Sequence, residues 1–223
     1  MDIKEAIINR HSVRHYNDRP IDDQTKLKLE QLIASVNEES GLHFQLFCDD
    51  PECFAGFLVH FGRFKGVSDY IAIVGNTSVN DYEEACGYYG EKLVLEAQMM
   101  GLNSCWVGGS FSKGKCKAEV KSGEKLLGVI AIGYGVNNGS AHKSKPAAKL
   151  CTVPESEMPD WFKEGMKAAM QAPTALNQQK FTIELQGDVP KIISKGGPYT
   201  SVDLGIVKYN FEAASGHKVK LYK

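Results

Sequence analysis

The sequence has 223 residues, with 26 Lys and Arg against 27 Asp and Glu and a formal net charge of −1. A chain of this length forms one or two domains and removes roughly 70–75% of its unfolded surface from water, so it needs no metal or disulfide staple. Its 43% hydrophobic and 24% charged residues argue against disorder, and the charge balance argues against a dedicated nucleic-acid binder.

Ile3, Ala6 and Ile7 repeat at helical spacing and predict a short helix ending near Arg10. After Pro20 and the acidic pair Asp22-Asp23, Leu27, Leu29, Leu32 and Ile33 mark a second helix. Leu42, Phe44 and Leu46 alternate with polar residues, as in a strand, until Pro51. Tyr70–Gly75 is an apolar run that predicts a buried strand. A long helix runs from Tyr82 to Met100 and stops at Gly101. Leu126–Ile132 is a second buried strand, closed by Gly133-Tyr134-Gly135. Residues 136–160 are polar and read as a connection. Then come a helix from Trp161 to Met170, an alternating strand Phe181–Leu185, and a last helix from Leu204 to Ala214. The order predicts an α+β fold, a mostly antiparallel central sheet flanked by helices.

An internal repeat underlies this order. Gly90-x10-Gly101 in the long helix is matched by Gly205-x10-Gly216 in the last one, and Leu32–Phe47 resembles Met166–Leu185 as a helix-loop-strand unit. Two pseudo-symmetric repeats, about 1–150 and 151–223 within one domain, are therefore expected. The plain alternative is that any α+β chain contains two such units.

The thiols Cys48, Cys53, Cys86, Cys105, Cys116 and Cys151 form no C-x-x-C pair and no zinc-type spacing with histidine. Neither an apolar leader nor a bilayer-length apolar run is present, so the expectation is a reduced, cytoplasmic protein without membrane attachment.

Four segments carry polar chemistry. In Arg10-His11-Ser12-Val13-Arg14, alternation in an extended chain would turn Arg10, Ser12 and Arg14 to one side, where they can meet a single phosphate. A solvated helix end explains the same residues about as well. In Gln171–Lys180, Pro173 ends a helix, and Thr174, Asn177, Gln178 and Gln179 then offer donors and acceptors suited to a flat heterocycle, or simply a polar turn. The third segment, Gly101–Gly109, ends in Val107-Gly108-Gly109, where glycines allow close backbone approach. The fourth adds Lys143 and Lys145 after Gly133-Tyr134-Gly135, which lacks the completion of a dinucleotide loop. No H-E-x-x-H, G-x-S-x-G or Walker A pattern occurs.

Together these segments resemble the FMN-dependent nitroreductase family. Arg10–Arg14 is similar to its N-terminal phosphate signature, and Ala172–Gln179 to its Ala-Pro-Ser/Thr-x-x-Asn-x-Gln flavin loop. The resemblance implies that Arg10, His11, Ser12 and Arg14, with Lys143 and Lys145, hold the FMN phosphate. It places Pro173, Thr174, Asn177 and Gln179 on the isoalloxazine edge, and the backbone of Val107, Gly108 and Gly109 along the ring. It also implies ping-pong reduction by NADH or NADPH of a small electron acceptor, such as a nitroaromatic or quinone, with no side-chain acid required. A sensor-like flavin binder, or a flavin reductase for halogenated or unsaturated substrates, would share the motifs.

One departure bears on organisation. Ordinary members carry the Ala-Pro loop soon after the N-terminal signature, where this chain reads Ala34-Ser35-Val36-Asn37-Glu38-Glu39. The intact loop lies in the second half, which has no Arg-x-Ser-x-Arg of its own. The resemblance is therefore to a subgroup with two fused halves, a pseudo-dimer, with one FMN per chain. A monomer then suffices, and a homodimer is not excluded.

Overall fold

A computed structural model describes residues 1–56 and 62–222; His60 lies outside them. The chain divides into two compact units, each discontinuous in sequence: residues 10–82 with 93–141, and residues 1–9 with 83–92 and 142–223.

The first unit is built on a four-stranded sheet of order β1-β2-β4-β3, with every pair antiparallel. Its strands are β1 (Gln45–Phe47), β2 (Asp69–Asn76), β3 (Asn103–Val107) and β4 (Glu124–Gly133). β2 is hydrogen-bonded on both edges and buried from Asp69 to Gly75, which is why its sequence is a continuous apolar run and not an alternation. A register shift at Ile73/Val74 pairs Ile73 with Gly128 and Val74 with Leu126. Gly128 is required where it stands, because a Cβ there would press on the Val107 carbonyl of the neighbouring strand.

Helix α2 (Asp23–Ser40) in this unit begins at Asp22, whose carboxylate accepts from the Thr25 amide at 3.0 Å and the Thr25 hydroxyl at 2.8 Å. It ends at Gly41 with φ +69°. Leu29, Ile33 and Val36 form its buried stripe, while Leu27 is exposed. The Asn37 carboxamide then fixes the path into β1, donating to the Phe44 carbonyl and accepting from the Phe44 amide at 2.9 and 2.8 Å.

The second unit holds a separate three-stranded sheet. β5 (Phe181–Gln186) and β6 (Val189–Ser194) form an antiparallel hairpin through Gly187-Asp188, with Gly187 at φ +59°. β7 (Lys220–Tyr222) joins β6 in parallel. The described residues form two sheets: the expected mostly antiparallel sheet, and a smaller one that contains the strand expected at Phe181–Leu185. The stretch 136–160, expected as a plain connection, contains the short helix α4 (Ala147–Leu150) and a 3₁₀ turn at Glu155–Glu157.

The remaining helices of this unit are α1 (Ile3–Asn9), α5 (Asp160–Ala169) and α6 (Thr200–Ser215). Residues 83–92 of α3 (Tyr82–Met99) belong with them. Gly165 lets the Phe211 ring lie directly on α5. α3 and α6 approach even more closely: a Cβ on Gly87 would strike the Val202 carbonyl, and one on Gly205 the Glu84 carbonyl. The crossing is framed by an ion pair of 3.0 Å between Lys208 and Glu84 and by Tyr88 packed edge-on against Tyr209. No helix among the described residues is long and apolar enough to cross a membrane.

Candidate functional site

In the first unit the segment 10–16 is extended and runs parallel to β3. Ser12 bridges to Ser104, and the Val13 amide donates to the Ser104 carbonyl at 3.0 Å. Alternation then sorts the side chains. Val13 is buried and lies close to Gly135 and Gly139, and His11 Nδ1 is 2.9 Å from the Asn138 carbonyl. The Ser12 hydroxyl acts on the Cys105 thiol of β3, as do the charges of Arg14 and Arg10. Burial raises the Cys105 thiol pKa, and Arg14, Ser12 and Arg10 oppose that rise without overcoming it. Arg10 is 3% exposed, whereas Arg14 reaches solvent. Both arginine charges and the Ser12 hydroxyl thus act on one thiol, which burial keeps neutral.

In the same unit, Val107 ends β3 as a buried residue, and Gly108 and Gly109 follow it on the surface.

In the second unit the loop after α5 is held in a demanding conformation. Leu176, Asn177 and Gln179 have φ of +52°, +53° and +44°, each costing about 1–3 kcal/mol for a residue other than glycine. A hydrogen-bond network offsets this. Gln179 is 2% exposed. Its Oε1 accepts from the Lys145 amide at 2.7 Å, and its Nε2 donates to the Lys143 carbonyl at 3.0 Å and to Asn177 Oδ1 at 2.7 Å. Asn177 Nδ2 donates to that Lys143 carbonyl at 2.9 Å, and Thr174 Oγ1 accepts from the Gln179 amide at 3.0 Å. The Lys145 ammonium donates to the carbonyls of Gln178 and Gln179 at 2.6 and 3.2 Å. Lys143, Lys145, Thr174, Asn177 and Gln179 are therefore brought together, bonded to one another. Pro173 begins the turn, and Leu176 stands fully exposed at its tip.

Sequence reasoning misses Asp203, which anchors this loop from the first turn of α6. Its carboxylate accepts from the Ala175 amide and from Gln178 Nε2, each at 2.8 Å. An acid at a helix start reads as an ordinary dipole partner, so only its 5% exposure gives it away. Burial pushes the Asp203 carboxyl up to about 6, against the opposing hydrogen bonds from Gln178 and Ala175. The folded chain therefore holds this proton more tightly than the unfolded chain does. Its contribution to stability is complete below about pH 4 and is lost as the pH rises through 6, a loss of about 3 kcal/mol. We expect Asp203→Asn to flatten the stability profile between pH 4 and 7. Chemical denaturation at several pH values, with a carboxyl NMR titration of the parent, checks this; an unchanged slope would refute it.

The fold places the chain in a class. It is an α+β protein of nitroreductase-like architecture, and it aligns over 100% of its length with 89% of a "putative nitroreductase" from Thermotoga maritima MSB8, at TM-score 0.72 and 22% identity. A "putative nitroreductase in complex with FMN" from Desulfovibrio desulfuricans aligns over 96% of its own chain with 68% of this one, at TM-score 0.53 and 23% identity. A "Putative NADH dehydrogenase/NAD(P)H nitroreductase" from Parabacteroides distasonis ATCC 8503 aligns over 95% of its chain with 66% of this one, at TM-score 0.52 and 21% identity. Residues 2–215 match the family described as "Putative TM nitroreductase". The chain belongs to the nitroreductase family and is an oxidoreductase. Among curated proteins none matches it significantly.

Proposed function

We propose that the chain binds FMN and uses NADH or NADPH to reduce a small electrophilic acceptor, such as a nitroaromatic or a quinone. The observation that carries this is that Arg10, Ser12 and Arg14, alternate residues of a segment bridged to β3, all act on the Cys105 thiol, in a member of the nitroreductase family. That donor set fits a phosphate monoester: two cations and a hydroxyl donor, beside a thiol that burial keeps neutral.

When bound, FMN supplies the hydride chemistry, accepting from the nicotinamide and then donating to the acceptor. The residues of the chain bind and orient. Arg10 and Arg14 neutralise the phosphate, Ser12 donates to it, and His11 braces the strand against Asn138. The motif resemblance extends the proposal to Lys143 and Lys145 for the phosphate. It assigns the ring edge to Pro173, Thr174, Asn177 and Gln179, and the ring to the backbone of Val107–Gly109. The internal bonds of the 173–179 loop support a preformed loop, which loses little entropy on binding.

The proposal includes two fused halves with complementary motifs, hence one FMN per chain and no obligate partner subunit. In its favour, two nearly complete relatives each align with only about two thirds of this chain. We place the protein in the cytoplasm.

The test is the visible spectrum of the purified chain, reconstituted with FMN and titrated anaerobically with NADH and NADPH. The expected result is a flavin spectrum at one FMN per chain that either nucleotide bleaches and a quinone restores. No flavin binding would overturn the proposal, and two FMN per chain would overturn the fused-half reading. Flavin that NAD(P)H does not bleach would point to a non-catalytic flavin-binding protein.

A further inference from the structure

Away from the arginine strand, the first unit contains a second cluster of reactive side chains. Cys53 lies in the 3₁₀ turn Pro51–Phe54, and Cys116 follows the turn that begins at Ser112. The backbone ties the two segments together: the Ser112 amide donates to the Cys53 carbonyl at 2.8 Å, and the Cys116 amide to the Ser112 carbonyl at 3.0 Å. The two thiols act on each other's ionisation, and the Tyr70 hydroxyl acts on both. Tyr70 is held in turn, donating to Asp50 Oδ2 at 2.7 Å and accepting from the Lys117 amide at 3.3 Å. The Lys117 ammonium stands 3.1 Å from Asp50 Oδ1. Cys53 is fully buried in the core beneath the sheet, while Cys116 packs against that core and is partly open to solvent.

We propose that Cys53 and Cys116 form a redox-active dithiol that reacts with hydroperoxides, Cys116 being oxidised first and Cys53 closing the disulfide. The asymmetry of the pair assigns the order. Cys53 and the Ala118 amide hold the Cys116 thiol below its ordinary pKa, whereas Cys116 and burial push Cys53 up. Cys116 is also the residue of the pair that is only partly buried. The thiolate of Cys116 attacks one peroxide oxygen, the O–O bond breaks, and with one proton the products are Cys116 sulfenic acid and water. The Cys53 sulfur then attacks the Cys116 sulfur; the S–O bond breaks, and the departing hydroxide takes the Cys53 proton as a second water. Two thiols and one hydrogen peroxide become one disulfide and two waters, with two electrons passing from sulfur to oxygen. Nothing in the flavin reading requires this pair.

The other thiols serve as internal controls. Cys86, Cys105 and Cys151 are buried. Cys48 is partly exposed, but burial and the neighbouring Asp69 push it up to about 11, away from the thiolate form.

The experiment treats the reduced full-length protein with hydrogen peroxide and maps the products by mass spectrometry of a non-reducing digest. The expected result is a cross-link joining the peptides of Cys53 and Cys116, reversed by dithiothreitol. Cys53→Ser should leave a sulfenic acid at Cys116 that dimedone traps. Cys116→Ser should slow peroxide consumption by at least about tenfold. Circular dichroism confirms that each variant folds, and Cys53→Ala replaces Cys53→Ser if the serine variant does not. No Cys53–Cys116 cross-link, a disulfide through Cys48 instead, or unchanged peroxide consumption in Cys116→Ser would overturn the proposal.

Discussion

Gly205→Ala should be among the most damaging single-methyl changes available to this chain. In an unconstrained helix the substitution favours folding by about 1 kcal/mol, because alanine has the higher helix propensity. Here the added methyl meets the Glu84 carbonyl and the Tyr88 amide, backbone atoms of a packed helix with no rotamer to change. Forcing a methyl into such a contact costs about 3 kcal/mol or more, so a net loss of at least about 2 kcal/mol is expected. Gly87→Ala should behave alike, since it meets the Val202 carbonyl of the same crossing. Gly114→Ala is the matched control: nothing lies within 4 Å of its Cβ position, and a change within about 0.5 kcal/mol is expected. Denaturant midpoints for the three variants check this. Equal midpoints would mean that the two helices separate at no cost.

The second large effect concerns ligand retention. Arg14→Ala should weaken FMN binding by about tenfold to a hundredfold, the value of a charge-assisted hydrogen bond of about 1.5–3 kcal/mol. Arg14 is exposed, so its loss should change stability little. Arg10→Ala should weaken binding at least as much, and more than it lowers fold stability, although removing a guanidinium from a site 3% exposed will also cost some packing. Comparing FMN with riboflavin isolates the phosphate. Both variants should lose affinity for FMN and keep that for riboflavin. Equal losses for the two ligands would remove the phosphate assignment, and unchanged FMN affinity would remove it outright.

The sequence made some of this legible, for physical reasons. A strand paired on both edges and buried on both faces must be apolar throughout, so β2 and most of β4 announce themselves. Helices that stop at a glycine, such as α2 and α6, do the same. β3 was hidden because Asn103-Ser104-Cys105-Trp106-Val107 mixes polar and apolar residues beside a glycine pair that suggests a loop. β6 was hidden by Pro190, which argues against a strand until its pairing with Leu185 is seen.

The candidate site divides in the same manner. Alternation in residues 10–14 is local, so the expectation that Arg10, Ser12 and Arg14 face one way needs only the sequence. The wiring of the 173–179 loop was not legible. The acceptors for Gln179 and Lys145 are mostly main-chain carbonyls, and Asp203 lies 24 residues beyond Gln179. Nor did spacing single out Cys53 and Cys116, which are 63 positions apart.

The interleaved boundaries of the two units also bear on how the chain is made. The residues of the sheet unit are complete once Ala141 has been synthesised, so that unit can fold while the rest is still on the ribosome. Helix α1 is made first, yet the helices it packs against, α5 and α6, come only after residue 159. At ordinary elongation rates Ala6 and Ile7 wait roughly 10–30 s for their cover. The amino-terminal segment is therefore the part of the nascent chain with most to gain from a chaperone.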